Sequence, residues 1–421
     1  MNHPMRLSRR SFLRRSAVLL GAPLFVPPGI LGSAEQPGAN ERLQIAFIGS
    51  GHRARLLMRQ MPAGGQIVAV CDVFLPRCDE ALKELSAKWD VYQDYRKVLD
   101  RKDIPALVVP THDHGRVLPC IHACQAQKDI YAEKPLTLTV HEGRALVNFV
   151  RKHKIVFQVG SQQRSMEMNR FACELVRTGG IGKLHTVLGC NYTGPADCNG
   201  LPEEPVPQGL NWDMWCAQTK LRPYNPQLHF GWMGLKDFSG GEMTNWGAHG
   251  IDQIQWGVGG DGGGPVEFWP ESEGPNGKVS FRYSSGVIVK LELASGPMGG
   301  AIFIGDKGKL EVDRNRFTAT PGELVKNPPE PQKAEMWEGP GWQAKYHIQN
   351  WLDCIKTRER PVADVEIGHR SISICHIANI TRAVGRKLRW DPVKELFIDD
   401  DEANAFLDRP KRKGYEIPKL T

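Results

Sequence analysis

The stretch Leu43-Gln44-Ile45-Ala46-Phe47-Ile48 is apolar almost without a break and opens directly into a glycine-rich turn, the pattern of a strand buried on both faces. Similar apolar runs recur at Ile67 to Cys71, Ala106 to Val109, Ile130 to Ala132 and Ile155 to Val159. Between them lie segments with helical spacing, among them Val117 to Ala126 and Val140 to His153. Strands alternating with helices predict an α/β domain with a parallel, doubly wound (Rossmann) sheet.

Past about Ser161 the rhythm changes. A helix is expected over Met168 to Thr178 and a strand over Lys183 to Tyr192, followed by a Pro- and Trp-rich excursion to about Phe238 and a helix over Gly241 to Val258. Alternation in Val279 to Tyr283, Val287 to Leu293, Ala301 to Ile304 and Lys309 to Val312 predicts antiparallel strands, and Gly259 to Gly264 a flexible loop. Helices at Trp342 to Thr357 and Gly368 to Arg386 complete an α+β domain built on a large, open, mostly antiparallel sheet.

The N-terminus changes the picture of where the chain works. Arg9-Arg10-Ser11-Phe12-Leu13, the apolar run Ala17 to Val26 and the small residues Gly32 and Ala34 read as a twin-arginine export signal cut after Ala34. The apolar run falls short of the roughly 20 residues a membrane span requires; the alternatives are a basic arm or an uncleaved anchor. The division expected is therefore signal 1–34, linker 35–42, doubly wound domain 43–162, second domain 163–390 and a tail 391–421 that packs back on the protein. Cleavage removes five arginines and no acid, lowering the formal charge from +7 to +2. That balance, with bases and acids interspersed, gives no footprint for nucleic acid. The ten cysteines show no zinc spacing and are expected to be mostly buried thiols with few disulfides.

Gly49-Ser50-Gly51-His52-Arg53-Ala54 stands between a strand and a helix, where a G-x-G-x-x-A fingerprint permits a tight turn, close approach to a pyrophosphate and close helix–strand packing. Asp72 ends the second strand, where a carboxylate accepts hydrogen bonds from ribose hydroxyls and repels a 2'-phosphate. That favours NAD, although Arg77 leaves NADP open; the simpler alternative is that Asp72 caps a turn. Glu133-Lys134-Pro135 follows the fifth expected strand, at the sheet edge where ligands bind, and a lysine there suits stabilisation of an alkoxide. His112, Asp113 and His114 are adjacent, so they cannot all reach one ion, and no metal is expected. The aromatic excursion offers Trp212, Trp215, Tyr224, His229 and Trp232 either as sugar-stacking surfaces or as loop anchors.

Together with Gly240-Gly241, Asn245, His249 and Asp252, these motifs resemble the glucose-fructose oxidoreductase and inositol dehydrogenase family (Gfo/Idh/MocA), from about Leu43 to Arg409. Gly160 to Ser165, Gly209 to Asp213, Arg222 to Pro226 and Arg386 to Pro392 look like an exported subgroup. The resemblance implies a reaction centre of Lys134 and His249, with Asn245 where relatives have an aspartate and Asp252 compensating near the histidine. Cofactor contacts are expected from Gly49, Gly51, His52, Arg53, Asp72, Glu133, Lys134 and Gln162 and, as the resemblance implies, from Thr111 and His114; Arg164, Tyr192, Trp212, Tyr224 and His229 are the expected substrate contacts. A second departure is Thr111-His112-Asp113-His114-Gly115-Arg116, which lacks the usual proline. The expected activity is NAD(P)-dependent oxidation of a secondary hydroxyl of a sugar or polyol, in a periplasmic homo-oligomer with tightly bound cofactor and no membrane span after processing. The alternatives are glycoside cleavage by transient oxidation and a non-catalytic, cofactor-stabilised binding protein.

Overall fold

The computed structural model describes residues 38, 41–330 and 343–420. The export signal read in residues 1–34 and most of the linker lie outside them. No helix among the described residues is long and apolar enough to cross a membrane.

Six parallel strands form the first sheet: β1 Leu43–Ile48, β2 Gly65–Cys71, β3 Asp90–Tyr92, β4 Ala106–Val109, β5 Asp129–Ala132 and β6 Phe157–Val159, in the order β3-β2-β1-β4-β5-β6. The order reverses beside β1, and the crevice beyond the strand ends at such a switch point is where doubly wound sheets bind dinucleotides. Both faces are covered, as the unbroken apolar runs require. Ile45 and Phe47 of β1 pack with Leu57 and Met58 of α1 (His52–Arg59), while Ala46 and Ile48 join a second apolar layer with Leu146 and Val150 of α2 (Val140–His153).

Nine strands form the second sheet: β7 Leu184–Cys190, β8 Glu267–Pro270, β9 Val279–Arg282, β10 Ile288–Leu293, β11 Ala301–Gly305, β12 Gly308–Asp313, β13 Arg316–Thr320, β14 Leu388–Asp391 and β15 Leu396–Phe397. All neighbours are antiparallel except β7 and β10, which run parallel. Alternate residues such as Val289, Leu291, Phe303, Leu310 and Val312 are buried. They face α3 (Glu167–Arg177) and α4 (Glu242–Gly257), whose Val176, Ile251 and Ile254 belong to the same apolar layer. The sheet continues past residue 390, because β14 pairs with β8 and β15 closes the edge.

Two long-range placements shape the crevice. Helix α5 (Lys345–Thr357), expected in the second domain, lies under the first sheet, with buried Trp351 edge-on to Tyr131 at 5.9 Å. Helix α6 (Val365–Val384) is buried nearly all round between the domains, its polar His369, Ser371, Ser373, His376 and Thr381 included. All ten cysteines are free thiols, most of them buried.

Candidate active site

A cleft of about 890 Å³ opens where the strand ends of the first sheet meet α4 and the Trp-rich excursion. Gly49, Gly51, His52, Arg53, Asp72, Thr111, Glu133, Lys134, Gln162, Asn245 and His249 all line it. Gly49 has φ +107°, and a side chain there would come within 3.3 Å of the Pro110 carbonyl carbon, so the turn needs glycine. The start of α1 has no side-chain cap, leaving its amide N–H groups for an anion. Thr111 Oγ1 and Gln162 Oε1 are buried in the wall with no hydrogen-bond partner among the described residues. An open helix start, a glycine cradle and two unpaired polar atoms fit a bound dinucleotide. Asp72 is held in place by the backbone N–H groups of Ser50 at 2.8 Å and Phe74 at 2.9 Å, so it caps a turn and lines the cleft at once.

At the other end, Lys134 Nζ donates to Asn245 Oδ1 at 2.7 Å and to the Asn245 carbonyl at 3.2 Å. The Asn245 amide nitrogen donates in turn to Glu242 Oε2 at 3.0 Å, which fixes the orientation of the amide. His249 follows one turn later on α4, on the same face. Helix α4 begins at Gly241, with φ +73°, where a side chain would meet the Gly194 carbonyl carbon at 2.6 Å; this contact sets the entry angle of the helix that carries both residues. Burial pushes the Lys134 ammonium down to about 8, against the pull of Glu133 and Asp113. Burial, with Arg314 and Lys134 nearby, holds the His249 imidazole well below its usual range, so it is neutral. Arg53 donates to Glu133 at 2.8 Å and locks the residue before Lys134. Arg116 is fully buried and donates to the carbonyls of Thr111 and Pro135, tying the β4 loop to the Lys134 loop where the usual proline is missing.

Residues 43–161 match the family model described as oxidoreductase family, NAD-binding Rossmann fold, and residues 191–417 match its C-terminal alpha/beta domain. The chain belongs to the Gfo/Idh/MocA oxidoreductase family. Inositol 2-dehydrogenase of Salmonella typhimurium is 26% identical over 167 residues, 39% of this chain and 48% of that protein, so the match spans about half of that relative's length. The 2,7-anhydro-N-acetylneuraminate hydratase of Mediterraneibacter gnavus is 25% identical over 282 residues, 64% of this chain and 66% of that protein. Aldose-aldose oxidoreductase from Caulobacter crescentus, crystallised with glycerol, shares the fold with a TM-score of 0.61 at 18% identity, covering 83% of this chain and 99% of that one.

Several residues expected at the site lie elsewhere. Asp252 does share a helix face with Asn245 and His249, but the rise of 1.5 Å per residue carries it about 10 Å beyond Asn245, past the cleft floor. There its carboxylate accepts from Arg164 Nε at 2.9 and 3.0 Å and from Ser371 Oγ at 2.7 Å. Arg164 is consumed by that pair, by Asp261 at 2.7 and 2.9 Å and by stacking on Trp256, and is closed to substrate. His114 turns into the second domain, reaching the carbonyls of Trp215 at 2.8 Å and Phe238 at 3.3 Å, and burial drives its imidazole down to about 3. Trp212, stacked on Trp215 at 4.5 Å, joins Tyr224 in the apolar core of the excursion, and buried His229 sits edge-on to both tryptophans. Tyr192 packs against Gly247, outside the cleft.

Trp215, Trp232, Trp246 and Arg314 supply the wall instead. Arg314 comes from the turn between β12 and β13, its guanidinium 4.8 Å from the Trp246 ring centroid. No local signal marks Arg314, whereas Trp246 stands beside Asn245 and was within reach of the motif. Glu242, one turn before Asn245, is the carboxylate that serves this group.

These contacts make a prediction about the family's missing aspartate. Asn245→Asp puts a carboxylate against Lys134, and the ammonium pKa is expected to rise from about 8 by about one unit, tempered by repulsion from Glu242. The alkaline limb of a pH–rate profile should move up by the same amount. An unmoved limb would remove Lys134 as the titrating group.

Proposed function

We propose that this chain is an exported, NAD-dependent oxidoreductase that oxidises a secondary hydroxyl of a sugar or polyol, or reduces the matching ketone. The observation that carries the reading is the Lys134–Asn245 contact of 2.7 Å in the same cleft as a buried, neutral His249. Gly49, Gly51 and the start of α1 would hold the pyrophosphate, Asp72 the adenosine ribose, and Thr111 and Gln162 the nicotinamide half. When bound, the nicotinamide ring supplies hydride acceptance or donation. His249 takes the hydroxyl proton, and Lys134 donates a hydrogen bond to the oxygen as negative charge develops there. Asn245 holds the ammonium in position for that contact. Trp232 and Trp246, both partly exposed in the cleft, offer the apolar faces on which a sugar ring rests.

The substrate class is supported by relatives named for inositol and aldose chemistry. Dinucleotide is scarce outside the cytoplasm, so export to the periplasm favours a cofactor that stays bound through the catalytic cycle. A homo-oligomer belongs to the same reading. The relative named as a hydratase favours a second one, in which transient oxidation ends in no net redox change. The deciding experiment denatures the purified protein, identifies any released dinucleotide by mass, and follows the reduced-nicotinamide absorbance as sugars and polyols are added. Net reduction by a polyol supports the dehydrogenase. Product without net reduction supports the second reading, and failure to bind NAD or NADH at all overturns both.

A further inference from the structure

The chain leaves the second sheet after β15, forms a short helical turn to Leu407, and its tail then returns to the cleft. Arg412 is its anchor: Nη2 donates to the carbonyls of Asp213 at 2.7 Å and Ala217 at 3.0 Å, Nε donates to Ala217 at 3.2 Å, and the guanidinium meets the Asp213 carboxylate. The Arg412 amide donates to the Gln218 carbonyl at 3.0 Å. Its guanidinium lies 4.4 Å from the centroid of Tyr415, whose hydroxyl donates to Asp213 Oδ1 at 3.0 Å. Terminal segments stay mobile unless tied down; this one is tied at several points, and Gly414, Tyr415 and Glu416 line the dinucleotide cleft.

The tail stands over one particular end. Tyr415 and Tyr95 pack against the same apolar layer and both line the cleft, and Tyr95 is hydrogen-bonded to His122 at 2.9 Å. Two residues earlier, the Gln93 amide donates to the Val73 carbonyl at 3.1 Å, the residue next to Asp72. Asp72 marks the adenosine ribose in this fold.

We propose that residues 409–417 are a strap that retains the dinucleotide by its adenosine end, with Tyr415 as the contact residue; this rests on the dinucleotide reading above. The strap bridges the excursion and the first domain, so the adenosine half leaves only when these contacts open. Retention of that kind suits a protein working where free cofactor is scarce.

The test titrates the purified, dinucleotide-free full chain with NADH, AMP and nicotinamide mononucleotide, comparing wild type with Tyr415→Ala and Arg412→Ala. Loss of an aromatic wall from a base site is expected to raise the dissociation constants of NADH and AMP by about tenfold and to speed NADH release, leaving nicotinamide mononucleotide unchanged. Matched thermal melts of the ligand-free proteins show that the variants fold; if Arg412→Ala does not, Tyr415→Ala carries the test. Unaltered NADH and AMP affinities, or a loss confined to nicotinamide mononucleotide, overturn the strap while leaving dinucleotide binding intact. A wild-type chain that binds neither NADH nor AMP overturns the dinucleotide reading, and the strap with it.

Discussion

Lys134→Ala is expected to lower kcat by about a thousandfold. The ammonium is the donor aimed at the developing alkoxide, and removing one such donor from a water-poor site typically costs about two to three orders of magnitude. The residual Asn245 amide cannot replace it, because its oxygen accepts and its nitrogen is committed to Glu242. The pH dependence gives the sign. Lys134 acts in its charged form, and burial brings its pKa down to about 8, so the rate of the wild-type chain falls as pH rises through that value. The variant lacks this limb. His249→Ala removes the proton acceptor, at a cost of about a hundredfold or more, and the double variant is expected to be little worse than the poorer single one, since the two groups act as a unit. Steady-state kinetics on a polyol that reduces the bound cofactor check all three. If Lys134→Ala and His249→Ala both turned over like wild type, the reaction centre would have to be sought elsewhere in the cleft.

Asp252→Ala is expected to act on stability, not on chemistry. It leaves Arg164, which is 3% exposed, buried with Asp261 as its remaining acid. Breaking a buried ion pair from one side costs about 3–5 kcal/mol. For a chain of this size the melting temperature should fall by roughly 5 °C. Turnover per folded molecule, measured well below the melt, should stay within about twofold of wild type. The opposite outcome, an unchanged melt with lost turnover, would return Asp252 to the support of His249 that the family resemblance suggested.

The two cases show where sequence reasoning reached and where it stopped. Periodicity separated a domain of buried parallel strands from one of alternating strands, because burial on two faces or one writes itself directly into the order of residues. The strands it passed over, β3, β8, β13, β14 and β15, are short or at sheet margins, where little burial marks them. The fingerprint turn, Asp72, Lys134, Asn245 and His249 were legible since each is tied to a local element: a strand end, a turn, one helix face. Helical spacing also put Asp252 on the right face, but spacing says nothing about how deep a cleft runs along the helix. Which aromatic residues of the excursion reach the cleft and which fill its core, the arrival of Arg314 from a hairpin far along the chain, the buried brace of Arg116 and the return of Tyr415 were decided by tertiary packing alone. Side-chain partners distant in sequence are chosen by the geometry of the assembled domains, and no local pattern carries that information.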